Sequence, residues 1–208
     1  MLNIVVLVSG GGSNLQALID AEKNGILKSG KIVKVISDRE SYAEVRAEKN
    51  NIPFERVVRK DFSNKEEFCD KLIDEIQKEN ADLIILAGFL SILTEKFTKI
   101  YENKIINVHP SLIPSFCGDG MYGLKVHKAA LKKGVKVTGA TVHFVNAITD
   151  GGAIILQKPV GVMENDTPET LQKRVMEQAE WKILPMAAEY FCSGKLKIEN
   201  DVVKIKED

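Results

Sequence analysis

Five consecutive apolar residues, Ile4-Val5-Val6-Leu7-Val8, run straight into Ser9-Gly10-Gly11-Gly12-Ser13-Asn14, and this junction narrows the fold more than any other segment. An uninterrupted apolar strand offers water no polar face, so it must be covered on both sides. The glycines turn the chain, and the stretch from Asn14 to Asn24 then sets Leu15, Leu18 and Ile19 at helical spacing. A doubly covered strand followed by a helix is half of a parallel crossover unit. The alternation recurs, with strands predicted at Ile32 to Ser37, Phe54 to Val58 and Leu83 to Leu86, and helices over Arg39 to Asn50 and Lys65 to Glu79. Ile105-Ile106 opens another strand. Thr138 to Val145 and Ala153 to Val162 read as consecutive antiparallel strands, because only a short segment separates them. Thr167 to Cys192 is predicted as one long closing helix with Pro185 as its kink or break. The pattern predicts an α/β fold, Rossmann-like and doubly wound, with a mostly parallel sheet and helices on both faces.

A length of 208 residues, with 44% hydrophobic and 28% charged, suits one medium domain with a sizeable core, and no repeat or low-complexity linker divides it. The 29 basic residues balance 29 acidic ones without a long block of one sign, so no electrostatic footprint for nucleic acid or anionic membrane is present. The apolar N-terminus is too short to span a bilayer and lacks a basic leader or a signal-type cleavage site. Cys69, Cys117 and Cys192 lie far apart without ligand spacing, the usage of a reducing compartment. These features predict a cytoplasmic protein with small-molecule partners and neither nucleic acid nor membrane. Its oligomeric state is left open between monomer and homodimer.

The glycine turn is a candidate phosphate site. Glycines let backbone approach an anion, and the N-terminus of the following helix aims free N–H groups at it. Leu15 stands where the third glycine of a dinucleotide fingerprint belongs, and no Gly-Lys-Ser/Thr follows as in a triphosphate loop. A monophosphate held by Gly11, Gly12, Ser13 and Asn14 is the better match, with a flexible turn plus helix cap as the plain alternative.

The catalytic candidate is Asn107-Val108-His109-Pro110-Ser111-Leu112-Ile113-Pro114, answered by Asp150-Gly151-Gly152. An amide donor and an imidazole sit at the end of an apolar strand, where open α/β sheets bind ligands. A carboxylate at the end of a later strand favours the charged ring and can relay a proton. His127, in an amphipathic stretch, is expected on a solvated helix face, and His143 in a supporting or structural role. Three histidines far apart without H-E-x-x-H or H-x-H spacing predict no metal site. With no nucleophile elbow and no cysteine beside a histidine-bearing motif, two bound substrates are expected to react directly.

These segments, joined by Ala87-Gly-Phe-Leu-Ser-Ile-Leu93 and Gly139-Ala-Thr-Val-His-Phe-Val145, occur in an order that resembles the phosphoribosylglycinamide formyltransferase family over essentially the whole chain. The central motifs are shared with other folate-dependent formyltransferases and hydrolases; the N-terminal Ser-Gly-x-Gly-Ser-Asn-Leu-Gln pattern is the more specific part. The resemblance implies a single formyltransferase domain over 1–208, with a phosphate-binding half in 1–100 and a catalytic and folate-binding half in 101–208. It implies transfer of the formyl group of 10-formyltetrahydrofolate, as co-substrate and without a metal, to the glycyl amine of 5′-phosphoribosylglycinamide (GAR) in purine synthesis. Asn107 and protonated His109 would stabilise the oxyanion, and Asp150 would support the imidazolium and carry the amine proton. Glu180 matches a contact to the ribonucleotide sugar. The folate pteridine would lie against Phe89, Leu90, Ser91, Ile92 and Leu93, and against Asn146, Ala147, Ile148, Thr149 and Asp150, with Asn107 beside it. Lys65 would meet the folate's glutamate tail.

The chain departs from the family where Ser91 replaces a common arginine and Trp181 a usual histidine. Cys117 replaces a common proline, and the glycine-rich loop Cys117 to Gly123 is longer than usual. Two alternatives stand beside the transferase. One is a 10-formyltetrahydrofolate hydrolase, which would carry an additional N-terminal domain and need no phosphate loop. The other is a non-catalytic module that binds a phosphate ligand.

Overall fold

The computed structural model describes residues 1–206. Its elements follow the predicted alternation: β1 (Leu2–Val8), α1 (Ser13–Lys23), β2 (Gly30–Ser37), α2 (Ala43–Lys49), β3 (Phe54–Arg56), α3 (Lys65–Lys78) and β4 (Leu83–Leu86). Next come α4 (Glu95–Ile100), β5 (Ile105–His109), α5 (Leu124–Lys133), β6 (Val137–Phe144) and β7 (Ile154–Gly161). The chain closes with α6 (Pro168–Val175), a π turn (Met176–Glu180), α7 (Trp181–Cys192) and a hairpin of β8 (Leu196–Glu199) and β9 (Val202–Ile205).

The first seven strands form one sheet in the order β3-β2-β1-β4-β5-β6-β7. Pairings from β3 to β5 are parallel, while β6 and β7 join antiparallel. The Rossmann-like expectation holds, and so does the antiparallel pair at its edge. Burial on both faces of β1 follows from its apolar run. Ile4, Val6 and Val8 pack with Leu15 and Leu18 of α1 and Leu184 of α7. Val5 and Leu7 pack on the other face with Phe68 and Leu72 of α3 and Phe97 of α4. β2 lies on one side of β1 and β4 on the other, so the loops leaving β1 and β4 diverge. A crevice beyond the strands' carboxyl ends is the geometric result.

The closing helix runs without a gap from Pro168 to Cys192, as predicted, but its irregularity lies elsewhere. Pro185 sits inside α7, and the irregularity is the π turn that precedes it. Proline has no N–H for the carbonyl four residues back and its ring crowds that carbonyl; the chain accommodates this with a widened turn. Glu180 ends that turn, buried. Two elements had no readable signal: α4 is too short to show a period, and the β8–β9 hairpin forms its own two-stranded sheet. Among the described residues no helix is long and apolar enough to cross a membrane.

Two local devices shape the loops near the crevice. Thr141 of β6 is buried, donates to the Ser111 carbonyl at 2.7 Å and accepts from Ile113 N–H at 3.0 Å, which pins the turn after β5. A Cβ on Gly152 would stand 1.9 Å from the Phe144 carbonyl oxygen, so the loop between β6 and β7 closes back on its own strand only with glycine there.

Candidate active site

Side chains two apart on a strand share a face, which puts Asn107 and His109 of β5 together while Val108 turns to the core. In the antiparallel partner β6, His143 stands opposite Asn107 and Thr141 opposite His109. The His143 Nδ1 lies 2.7 Å from the Phe144 carbonyl, which can only accept, so Nδ1 carries the proton. Its Nε2 is then the acceptor for the Asn107 Nδ2 amide at 3.2 Å. That bond sets the Asn107 amide in one orientation and leaves its second N–H for a ligand.

Asp150 arrives from the β6–β7 loop with φ 55°, a left-handed conformation that aspartate tolerates better than most residues. Its Oδ2 accepts from Gly118 N–H at 2.8 Å and lies 3.4 Å from His109 Nδ1. Its Oδ1 lies 3.6 Å from His143 Nε2. Burial raises the Asp150 pKa, but the His143 and His109 rings in their charged forms and the Gly118 amide outweigh it and hold the carboxyl below its ordinary range. His109 is buried and directs Nε2 at the Phe116 carbonyl, 2.9 Å away. Burial lowers the imidazole pKa, with Asp150 and the Phe116 carbonyl pulling the other way. The net result is a lowered pKa that favours the neutral ring, with a carboxylate 3.4 Å from one nitrogen.

The glycine loop leaves β1 at the same crevice. Gly12, at φ 69°, precedes α1, and Gly10 to Asn14 line the same cleft of about 520 Å³ as Asn107, His109 and Asp150. Asn14 Nδ2 donates to Glu180 Oε2 at 2.7 Å, while Asn14 Oδ1 is buried without a partner in the protein. Burial pushes the Glu180 carboxyl up to about 7, with the Asn14 bond opposing the rise. The π turn therefore delivers a titratable acid to the glycine-loop end of the cleft.

Phe89 to Leu93 and Asn146 to Thr149 also line the cleft. Ser9 ties this end to the glycine loop: its N–H donates to the Gly88 carbonyl at 3.2 Å, and its Oγ accepts from Leu90 N–H at 2.8 Å. Ser91 Oγ donates to the buried Asp38 at 2.6 Å, and Asp38 also takes a two-pronged bond from Arg39 at 2.9 and 3.0 Å. The serine that departs from the family pattern is thereby tied into the protein. Gly118 to Gly123 of the glycine-rich loop line the cleft as well. Lys65 is the one candidate not brought here; it opens α3 and contributes nothing to the cleft wall.

His127 corrects its expectation. It is buried in α5 instead of solvated, with neither ring nitrogen bonded, and burial together with His109 lowers its pKa to about 4. The sequence reading also missed Ser9 as a loop tie and Gln172 and Met176 as cleft wall. His143 takes the supporting role expected of it, meeting the Asn107 amide from the facing strand. Among the described residues no group of three His, Cys, Asp or Glu side chains is arranged to hold a metal ion.

Residues 2–188 match a sequence family described as formyl transferase. Over 203 residues the chain is 41% identical to a phosphoribosylglycinamide formyltransferase of Haemophilus influenzae, covering 97% of this chain and 92% of that one. It is 42% identical to the trifunctional purine biosynthetic protein adenosine-3 of Gallus gallus, covering 95% of this chain but 19% of that larger protein. In structure it superposes on the glycinamide ribonucleotide transformylase 1 of Symbiobacterium toebii with a TM-score of 0.93 at 38% identity, covering 100% of this chain and 95% of the other.

Proposed function

The chain belongs to the formyl transferase family, and from that premise we propose that it moves the formyl group of 10-formyltetrahydrofolate to the glycyl amine of GAR, in purine (IMP) synthesis. The observation that carries the reading is the meeting of Asn107, His109 and Asp150 in one cleft with the glycine loop. Such a site holds two substrates and moves a proton without a covalent nucleophile.

In this reading the GAR phosphate sits on the N–H groups of Gly11 to Asn14, and Glu180 takes a sugar hydroxyl. The folate ring lies against Phe89 to Leu93 and Asn146 to Thr149. The amine adds to the formyl carbon, and the negative charge that develops on oxygen is met by the free N–H of Asn107 and by protonated His109. The Phe116 carbonyl already stands as an acceptor at His109 Nε2, so the formyl oxygen exchanges with it. Asp150 stabilises the imidazolium and relays the proton lost by the amine. Collapse of the adduct returns that proton to the departing folate nitrogen and leaves formyl-GAR and tetrahydrofolate. The whole chain, 1–208, acts as one formyltransferase unit, its first half carrying the phosphate loop and its second the reacting groups. A non-membrane, cytoplasmic enzyme with no resident metal fits this chemistry.

The decisive assay mixes purified protein with 10-formyltetrahydrofolate, with and without GAR. Tetrahydrofolate appearing only when GAR is present supports the transferase. Turnover without GAR replaces it with the hydrolase, and no turnover in either case replaces it with a binding module.

A further inference from the structure

Arg46 of α2 reaches out of its helix toward the glycine loop. Its Nε donates to the Gly11 carbonyl at 2.8 Å, its Nη1 donates to Gln16 Oε1 at 3.0 Å, and its guanidinium lies 5.2 Å from the centre of the Tyr42 ring. Arg39, Arg56 and Arg174 each pair with a carboxylate, whereas among the described residues Arg46, like Arg59, makes no ion pair. Its charge is therefore not neutralised within the protein. Positions 10 and 11 have nothing within 4 Å of where a Cβ would stand, so side-chain packing does not orient their peptides. In a planar trans peptide the C=O and the next N–H point in opposite directions. With the Gly11 carbonyl drawn to α2, the Gly12 N–H faces away from α2, in a segment, Gly10 to Asn14, that lines the cleft.

We propose that Arg46 is a positioning residue of the phosphate end: it clamps the Gly11–Gly12 peptide with its N–H toward the substrate phosphate and backs that phosphate with an unpaired positive charge. The proposal rests on the glycine loop being the phosphate site. It adds a cation to a cleft whose own lining contains no lysine or arginine, and it makes the site select a dianionic phosphate over a less charged group.

Inorganic phosphate is the probe, used as a competitor of GAR in the transfer assay. Arg46→Met raises the phosphate inhibition constant and the GAR KM by about tenfold or more, the scale of one charge-assisted hydrogen bond. It leaves kcat and the KM for 10-formyltetrahydrofolate within about twofold, and flattens the dependence of phosphate inhibition on salt. Arg46→Lys keeps the charge without the planar donor pair and recovers part of the loss. An unchanged phosphate constant in Arg46→Met overturns the proposal. Equal rises in both KM values with an unchanged salt slope do the same, because they describe mere loop damage. If phosphate fails to compete with GAR in the unmodified protein, the phosphate-loop reading itself falls and this proposal with it.

Discussion

Asp150 Oδ2 stands 3.4 Å from His109 Nδ1 while its second oxygen faces His143, and it does so from a left-handed backbone position at φ 55°. The carboxylate is thus aimed by its loop and by the Gly118 amide before any substrate arrives. Its effect on His109 is electrostatic: it favours the charged ring that burial disfavours.

Removing that charge tests the relationship. Asp150→Asn and His109→Asn are each expected to lower kcat by about 10²–10⁴-fold, the range of positioned acid–base catalysis, with both KM values changed little. The double variant falls scarcely further, since the two groups act as a unit. Steady-state kinetics on the three variants decides this; additive losses would separate the residues.

Glu180 is expected to make GAR affinity depend on pH. Its carboxyl is pushed from an ordinary 4.5 to about 7, so the folded protein holds this proton where the unfolded chain has lost it. The stabilisation is full below pH 4.5 and is lost as pH rises through 7. A sugar hydroxyl donates better to the ionised form, so the GAR KM falls as pH rises through that window. In Glu180→Gln this component of the KM profile disappears. An identical pH profile in both proteins removes Glu180 from the sugar contact.

His127 is expected to govern acid sensitivity of folding. Its pKa drops from 6.5 to about 4 on burial, so between those values the unfolded chain binds a proton that the folded protein refuses. The stability concerned is full above pH 6.5 and declines as pH falls toward 4, by about 1.4 kcal/mol per unit. Denaturant titrations at pH 7.5 and 5 are expected to show His127→Leu losing about 2 kcal/mol less than the unmodified protein over that interval. Parallel losses would assign the sensitivity elsewhere.

Ser9 ties the glycine loop to the Gly88–Leu90 segment, so Ser9→Ala frees the Leu90 amide. The expected cost is about 1 kcal/mol, the worth of one buried hydrogen bond, read as a severalfold rise in the KM for 10-formyltetrahydrofolate. The GAR KM rises less, because Arg46 still holds Gly11. A rise confined to GAR contradicts this assignment.

Much of the architecture was legible without coordinates, because apolar period and glycine position are local properties. Ile4 to Val8 could only be a strand covered on both faces, and the glycine turn after it could only open a crossover. Asn107 and His109, two apart on a strand, had to share a face. The sequence alone therefore determined the doubly wound layout, the glycine turn at the end of β1 and the shared face of Asn107 and His109. Tertiary structure decided what depends on register and packing between remote segments. Antiparallel pairing set His143 against Asn107, and the widened turn before Pro185 carried Glu180 to Asn14. The packing of α5 buried His127, although its helical spacing reads equally well as a solvated face. Lys65 stayed away from the cleft because α3 begins away from it. Local pattern states which way a side chain points from its own element; the distance between elements is set by the core that packs them, and the geometry of the cleft depends on that distance.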